Sequence, residues 1–280
     1  MNHLARQYFE TDKGTVEYTR YGSGQPVLFF HGGHSNAIDR LYHLGFDPSK
    51  YELITPSRPG YGKTSLQHNE SAAATATLMA ALLDGLSIHR VILYAASAGG
   101  PSAIAFAAKN NDRVQKLILA SSVTTTWLGQ KDRKYRLAKR LFRPPIQSVA
   151  WLFVRFMASD APMLLGRLFF REFSTQSRHL ISRPEAFRLA AALSVYDSGR
   201  GFLNDLKQEV DQESLTRVDC PTLILHSKYD ASVAVQHARH AKEYIPHAQL
   251  VLLENPWGHM IWIDDCRIEV EKQIQKFLIN

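Results

Sequence analysis

Apolar residues in this chain gather into eight short runs: Tyr8–Thr11, Thr15–Arg20, Pro26–Phe30, Glu52–Thr55, Val91–Ala95, Lys116–Ala120, Thr222–His226 and Leu250–Leu253. The first two flank Lys13-Gly14 and predict an opening hairpin. The others are compact and almost continuously apolar, as strands buried on both faces of a sheet are. Helical patterns lie between them, at Ser71–Leu86, Ala98–Lys109, Ala234–Ile245 and Asp264–Leu278. Strand–helix alternation predicts an α/β fold, with a mostly parallel eight-stranded sheet flanked by helices. Functional groups in such sheets collect on loops at the carboxyl ends of the strands.

The alternation breaks once. Between Ala120 and Thr222 there is no clear strand, only helix formers and aromatics. This predicts a helical insertion after the sixth strand, residues 125–218, forming a cap over the sheet's active face. Residues 1–124 and 219–280 then make the core. No Gly/Ser-rich linker sets the cap apart, so it is not expected to stand as an independent domain.

Composition changes this picture little. Hydrophobic residues make up 45% and charged residues 21%, ordinary for a globular protein. The N-terminal MNHLARQYFETDKG has no apolar core of a secretory signal. Cys220 and Cys266 belong to no CxxC or Cys/His cluster, so neither a disulfide framework nor a metal site is expected. A reducing, cytoplasmic setting follows as the expectation. Charge is more informative. Of a net +7, residues 125–185 carry twelve Lys/Arg against four Asp/Glu, leaving the remainder close to neutral. No nucleic-acid-binding module accompanies this excess, so no nucleic-acid partner is expected. The longest apolar stretch, Ile146–Met157, is too short to span a bilayer and contains Arg155.

The candidate chemistry centres on Val91-Ile92-Leu93-Tyr94-Ala95-Ala96-Ser97-Ala98-Gly99-Gly100, an apolar strand running into a serine and then a helix. A serine on such a tight turn is exposed at a helix N-terminus, where an acyl-transfer nucleophile can work. Bulk two positions before or after it would collide as the chain folds back, and Ala95 and Gly99 stand there. A serine hydroxyl needs a base, and the base an orienter. Of twelve histidines, His259 in Asn255-Pro256-Trp257-Gly258-His259 lies just past the last predicted strand. Asp230 lies just past the penultimate one. Asp219 precedes its strand, and Asp264 and Asp265 suit the start of the last helix. His237, His240 and His247 fall on or beside a predicted surface helix and are expected to be solvated.

The order Ser97, Asp230, His259, each after a strand, resembles the α/β-hydrolase superfamily across essentially the whole chain. Phe29-Phe30-His31-Gly32-Gly33 resembles the family's oxyanion loop, and Ser57-Arg58-Pro59-Gly60-Tyr61-Gly62 its Arg-Pro-Gly-Tyr-Gly turn. One departure is Ala95, where the elbow's first glycine is usual; alanine is small enough for the turn to form. The resemblance implies an α/β-hydrolase fold and a catalytic triad of Ser97, Asp230 and His259. It places the oxyanion hole at the backbone N–H groups of Gly33 and Ala98, with no cofactor and no metal. His31 and Arg58 are read as structural, Arg58 pinning the Pro-Gly turn. His34, next to the oxyanion loop, and Trp257, in the His259 loop, are candidate substrate contacts.

The resemblance implies a serine hydrolase acting on a small-molecule carboxylic ester, and the apolar cap suggests a hydrophobic acyl or aryl group. Amide, thioester, lactone or carbon–carbon bond hydrolysis, acyl transfer and haloperoxidation are alternatives on the same triad. A non-catalytic ligand-binding protein of this fold is a further one. Epoxide hydrolases and haloalkane dehalogenases are disfavoured because the elbow carries Ser97 rather than aspartate. Prolyl iminopeptidase-like members usually show HGGPG, whereas this chain reads His31-Gly32-Gly33-His34-Ser35. The basic segment Lys131–Arg143 places Leu137, Ala138, Leu141 and Phe142 on one helical face. It is read as a solvated charged face over a cap packed on the sheet, in preference to contact with a membrane surface. Oligomeric state is left open.

Overall fold

The computed structural model describes residues 5–129, 131–177, 181–263, 265 and 267–279. Its centre is one sheet of eight strands: β1 (Gln7–Thr11), β2 (Gly14–Gly22), β3 (Gln25–Phe30), β4 (Tyr51–Pro56), β5 (Val91–Ala96), β6 (Val114–Ala120), β7 (Thr222–Ser227) and β8 (Ala248–Leu253). Their order is β1-β2-β4-β3-β5-β6-β7-β8. The pairs β1–β2 and β2–β4 are antiparallel, and all others are parallel. Strand β5, VILYAA, is buried at every position, and so is β7, TLILHS. That double-sided burial is why these strands are continuously apolar.

Alternate residues feed two cores. Leu28, Phe30, Leu93, Ala95, Leu117 and Leu119 face one side, against Leu78, Met79 and Leu82 of α1 (Ala72–Gly85) and Ile104 and Phe106 of α2 (Gly100–Lys109). Val27, Phe29, Ile92, Tyr94 and Ile118 face the other, against Val270, Ile274 and Phe277 of α10 (Arg267–Ile279). Each fully buried side chain of this size contributes about 1.5–3 kcal/mol. Helix α1 starts where Ser71 accepts a hydrogen bond from the Ala74 N–H, a side-chain N-cap.

Among the described residues between β6 and β7 run six α-helices: α3 (Arg133–Leu141), α4 (Ile146–Asp160), α5 (Pro162–Phe173), α6 (Arg183–Ser194), α7 (Gly201–Asp205) and α8 (Gln212–Thr216). Helix α6 opens with a capping box of Ser182 and Glu185. Trp151, Leu165, Phe170, Leu189 and Leu193 of α4–α6 share a core with Trp257, Met260 and Ile263 from the loop after β8. The inserted helices are therefore joined to the sheet through the loop that carries His259. The remaining helix, α9 (Gln236–Tyr244), lies between β7 and β8.

Two expectations need correction here. His237 on α9 is 5% exposed, not solvated. Its Nδ1 accepts from the Thr124 N–H and its carbonyl accepts from Thr124 Oγ1, so the helix packs this face onto the chain leaving β6. The apolar residues of the insertion are also only partly packed: Leu137 and Leu141 on α3 are exposed, as are several on α4 and α5. Cys220 is buried, which pushes its thiol up to about 11. Cys266 and Asp264 lie outside the described residues.

Candidate active site

Sheet register brings the distant sequence segments together. Phe30 of β3 pairs with Ala95 of β5, so the His31-Gly32-Gly33 loop emerges beside the turn at Ser97. Ser227 of β7 pairs with Leu253 of β8, so the Asp230 and His259 loops emerge side by side. Ser97 itself has φ +50, the left-handed region that side chains rarely adopt. Space behind this turn is tight. A Cβ on Gly99 would stand 2.2 Å from the Phe30 carbonyl oxygen, and one on Gly100 2.1 Å from that of Val123.

His259 Nε2 lies 2.9 Å from Ser97 Oγ, and His259 Nδ1 lies 2.8 Å from Asp230 Oδ2. The other carboxylate oxygen, Asp230 Oδ1, accepts from the Ser232 and Val233 N–H groups, each at 2.8 Å. With Oδ1 so held, Oδ2 is left for the imidazole, and Nδ1 must be the donor. Nε2 is then the acceptor that a serine hydroxyl needs in order to lose its proton. Ser97 and His259 are 7% and 6% exposed, so the pair lies away from bulk water.

Gly33 lies in the loop between β3 and the first turns that follow. Among the described residues its N–H has no acceptor. Ala98 follows Ser97 at the start of a helical turn, where N–H groups lack intrahelical partners. A Cβ on Gly33 would lie 3.9 Å from that of Ala98, so the loop and the turn face each other closely. Two neighbouring N–H groups of this kind are what a developing oxyanion needs.

The loop is fixed from behind. His31 Nε2 accepts from the Arg58 N–H at 2.8 Å, while Nδ1 donates to the Gly32 carbonyl at 2.8 Å. That pattern requires neutral imidazole, and burial together with Arg58 holds its basicity well below the usual histidine range. Arg58 does more than pin its own turn. Its Nε donates to the His31 carbonyl at 2.7 Å, and its guanidinium spans to Asp205 of α7 at 2.6 and 2.8 Å. Tyr61 adds its hydroxyl to Asp205 at 2.6 Å. A buried guanidinium needs a carboxylate, and here the inserted helices supply it.

His34 Nδ1 lies 2.7 Å from Ser198 Oγ, which in turn accepts from Trp151 Nε1 at 2.7 Å. The Ser198 hydroxyl thus links the His34 ring to the Trp151 indole. The His34 ring stacks on Phe202 at 3.8 Å and meets Phe142 and Trp151. This apolar enclosure pushes His34 down to about 3, although the residue as a whole is only half-buried. Trp257 is 1% exposed and packs edge-on against Phe170, propping the loop that bears His259.

Sequence reasoning missed several residues around this centre. The end of α5 holds both flanking loops: the Phe173 carbonyl accepts from the N–H groups of His259, at 2.8 Å, and Ala231, at 3.1 Å. Ser174 forms a bridge with Asp230. A Cβ on Gly258, φ +58, would stand 2.2 Å from the Phe173 carbonyl oxygen, so glycine precedes His259 for close approach. His226, behind Asp230, donates from Nε2 to the Val233 carbonyl at 2.9 Å and lies 3.3 Å from Asp230 Oδ2. Burial lowers its basicity, and Asp230 opposes that only in part. No local motif marks these positions, because each acts through a neighbour remote in sequence. Among the described residues no group of three or more His, Cys, Asp or Glu is placed to hold a metal ion.

Comparison with known proteins agrees with this architecture. The profile of the alpha/beta hydrolase fold family matches residues 25–265. The chain is 41% identical over 273 residues to the uncharacterized hydrolase YcgS of Bacillus subtilis (strain 168), covering 95% of this chain and 96% of that protein. An alpha/beta hydrolase fold protein from Nakamurella multipartita superimposes with a TM-score of 0.82 at 26% identity, over 98% of this chain and 99% of that one. A thermophilic esterase from Thermogutta terrifontis is similar in fold, with a TM-score of 0.69 at 20% identity over 98% of both chains. With a family match over most of its length and a strand order that brings Ser97, His259 and Asp230 into one hydrogen-bonded row, this chain belongs to the alpha/beta hydrolase family.

Proposed function

We propose that this alpha/beta hydrolase is a serine hydrolase that cleaves a carboxylic ester with a hydrophobic acyl or aryl group through an acyl-serine intermediate. The observation that carries the reading is the continuous row Ser97 Oγ–His259 Nε2–His259 Nδ1–Asp230 Oδ2, at 2.9 and 2.8 Å. Ser97 Oγ attacks the acyl carbon while its proton passes to His259 Nε2. The carbonyl oxygen becomes an oxyanion held by the N–H groups of Gly33 and Ala98. The tetrahedral adduct collapses, the carbon–oxygen bond to the alcohol breaks, and His259 returns the proton to the leaving oxygen. Water then enters by the same path, giving the acid and free Ser97. Asp230 holds the imidazole in one tautomer and stabilises its cation. Each oxyanion donor contributes about 3 kcal/mol to such a transition state.

The substrate class rests on the walls. Phe202, Phe142 and Trp127 of the inserted segment pack together near the oxyanion loop, and a Cβ on Gly33 would stand 3.1 Å from the Phe202 ring. A hydrophobic acyl or aryl group fits such surroundings. The segment 125–218 acts in this reading as a cap that encloses the site. Of the two candidate contacts, His34 meets substrate through Nε2, and Trp257 supports His259 from behind.

The test is intact mass after exposure to a fluorophosphonate, for wild type and Ser97→Ala side by side. One adduct on wild type and none on the folded variant is expected. An unlabelled but folded wild type would remove the activated serine from the reading. A panel of esters with increasing acyl length, set against matched amides and thioesters, then selects the bond.

A further inference from the structure

Helix α4 has two apolar faces. Trp151, Val154 and Met157 turn inward. Ile146, Val149, Leu152, Phe153 and Phe156 turn outward, and the last four are 58–68% exposed. At about 3.6 residues per turn these five occupy an arc of roughly 120°, a second apolar face that Asp160 enters only at the helix's last residue. A helix with two apolar faces ordinarily buries both. The neighbouring helices continue the theme. Leu164 and Leu168 of α5 are exposed beside Arg167 and Arg171, and Leu137 and Leu141 of α3 are exposed beside Arg136 and Arg140. Helix α4 packs against both α3 and α5. Among the described residues none of these four arginines, nor Arg133 or Arg143, has a carboxylate within ion-pair distance.

We propose that the outward face of α4, with the basic rim of α3 and α5, docks on an anionic lipid surface. Apolar side chains with flanking arginines are what such a surface recognises: the chains enter the acyl boundary and the guanidinium groups meet the phosphates. Charge also selects against a second copy on the same face. In a symmetric dimer each patch would meet its own equivalent, setting arginine against arginine around the contact. No helix among the described residues is long and apolar enough to cross a membrane, so the contact is one of lying on the surface. The balance differs from that suggested by charge pattern alone because the exposed aromatics supply the apolar half of the interaction.

Co-sedimentation of the full chain with phosphatidylcholine vesicles, with and without phosphatidylglycerol, tests this. Wild type is expected to bind the anionic vesicles at least about tenfold more tightly than the neutral ones. Leu152→Ser/Phe153→Ser/Phe156→Ser should lose at least about tenfold of that affinity, and Arg136→Gln/Arg140→Gln should bind less and with a weaker salt dependence. These side chains are exposed, so both variants should keep the wild-type melting temperature and fluorophosphonate labelling. No binding to anionic vesicles, or binding the triple variant leaves unchanged, would overturn the proposal. So would a concentration-dependent dimer in sedimentation velocity that the triple variant abolishes, which would assign the face to a second copy. The vesicle result is independent of the reaction catalysed at Ser97.

Discussion

Arg58 and Asp205 form a two-toothed ion pair across 147 positions of sequence, with both partners buried. The pair ties the turn after β4 to α7. Because Arg58 also holds the carbonyls of His31 and Gly32, at 2.7 and 3.3 Å, one guanidinium links the inserted helices to the His31-Gly32-Gly33 loop.

Asp205→Ala leaves that guanidinium buried and unpaired. Removing one partner of such a pair costs about 3–5 kcal/mol, whereas apolar replacement of both is often close to neutral. Urea denaturation should therefore show a large loss for Asp205→Ala and a smaller one for Arg58→Met/Asp205→Leu. Activity should fall in both, since each frees the Gly32-Gly33 loop. Equal stability of Asp205→Ala and wild type would deny the pair its role.

Asp230→Asn is expected to keep the fold and lower kcat by about 10⁴-fold, as in other triads. The asparagine Oδ1 can still accept from Ser232 and Val233, so its NH2 group faces His259 Nδ1 donor to donor. The imidazole relieves this by moving its proton from Nδ1 to Nε2, the nitrogen that has to accept one from Ser97. Single-turnover assays on any ester cleaved by wild type would measure the effect, and near-normal rates would move the acidic role elsewhere.

Gly99→Ala should be unusually harmful for an alanine substitution. The new methyl would meet the Phe30 backbone oxygen at 2.2 Å, and a backbone atom cannot rotate away as a side chain can. Overpacking of this kind costs about 1–3 kcal/mol or more. The displaced element is the turn that holds Ser97, so labelling by fluorophosphonate should slow even where folded protein is recovered. Unchanged labelling and melting would mean the turn has slack.

Acid should weaken the fold through its buried neutral histidines. Burial pushes His43 down to about 3 and His237 down to about 4, against about 6.5 when unfolded. Between these limits the unfolded chain binds more protons, so stability rises with pH there and is complete above about 6.5. Each histidine contributes a slope of about 1.4 kcal/mol per pH unit within its window. Urea midpoints at pH 4.5 to 7.5 should fall steadily below pH 6.5, and His237→Gln should flatten the slope. A variant with the wild-type slope would show that His237 titrates normally.

Much of the core was legible because strands carry their environment in their composition. Val91–Ala95 and Thr222–His226 read as doubly buried strands and are so, with ends moved by one residue. The candidate triad was legible for the same reason, since each member lies on the segment that follows a strand, and strand ends are what apolar runs mark best. The inserted segment was legible only as helical. Its helix bounds and its packing depend on partners that periodicity does not name.

Sequence by itself determined the eight strands, their alternation with helices and the three candidate residues on the segments that follow β5, β7 and β8. Tertiary structure alone decided the rest. It buried His237, which stands on a helix of surface character, because Thr124 comes to meet it. It gave Arg58 its partner on α7, and it left Phe153 and Phe156 facing solvent. The reason is physical. A residue's polarity and its local backbone preference are properties of the chain near it, whereas burial, pairing and exposure are set by whatever the fold places opposite.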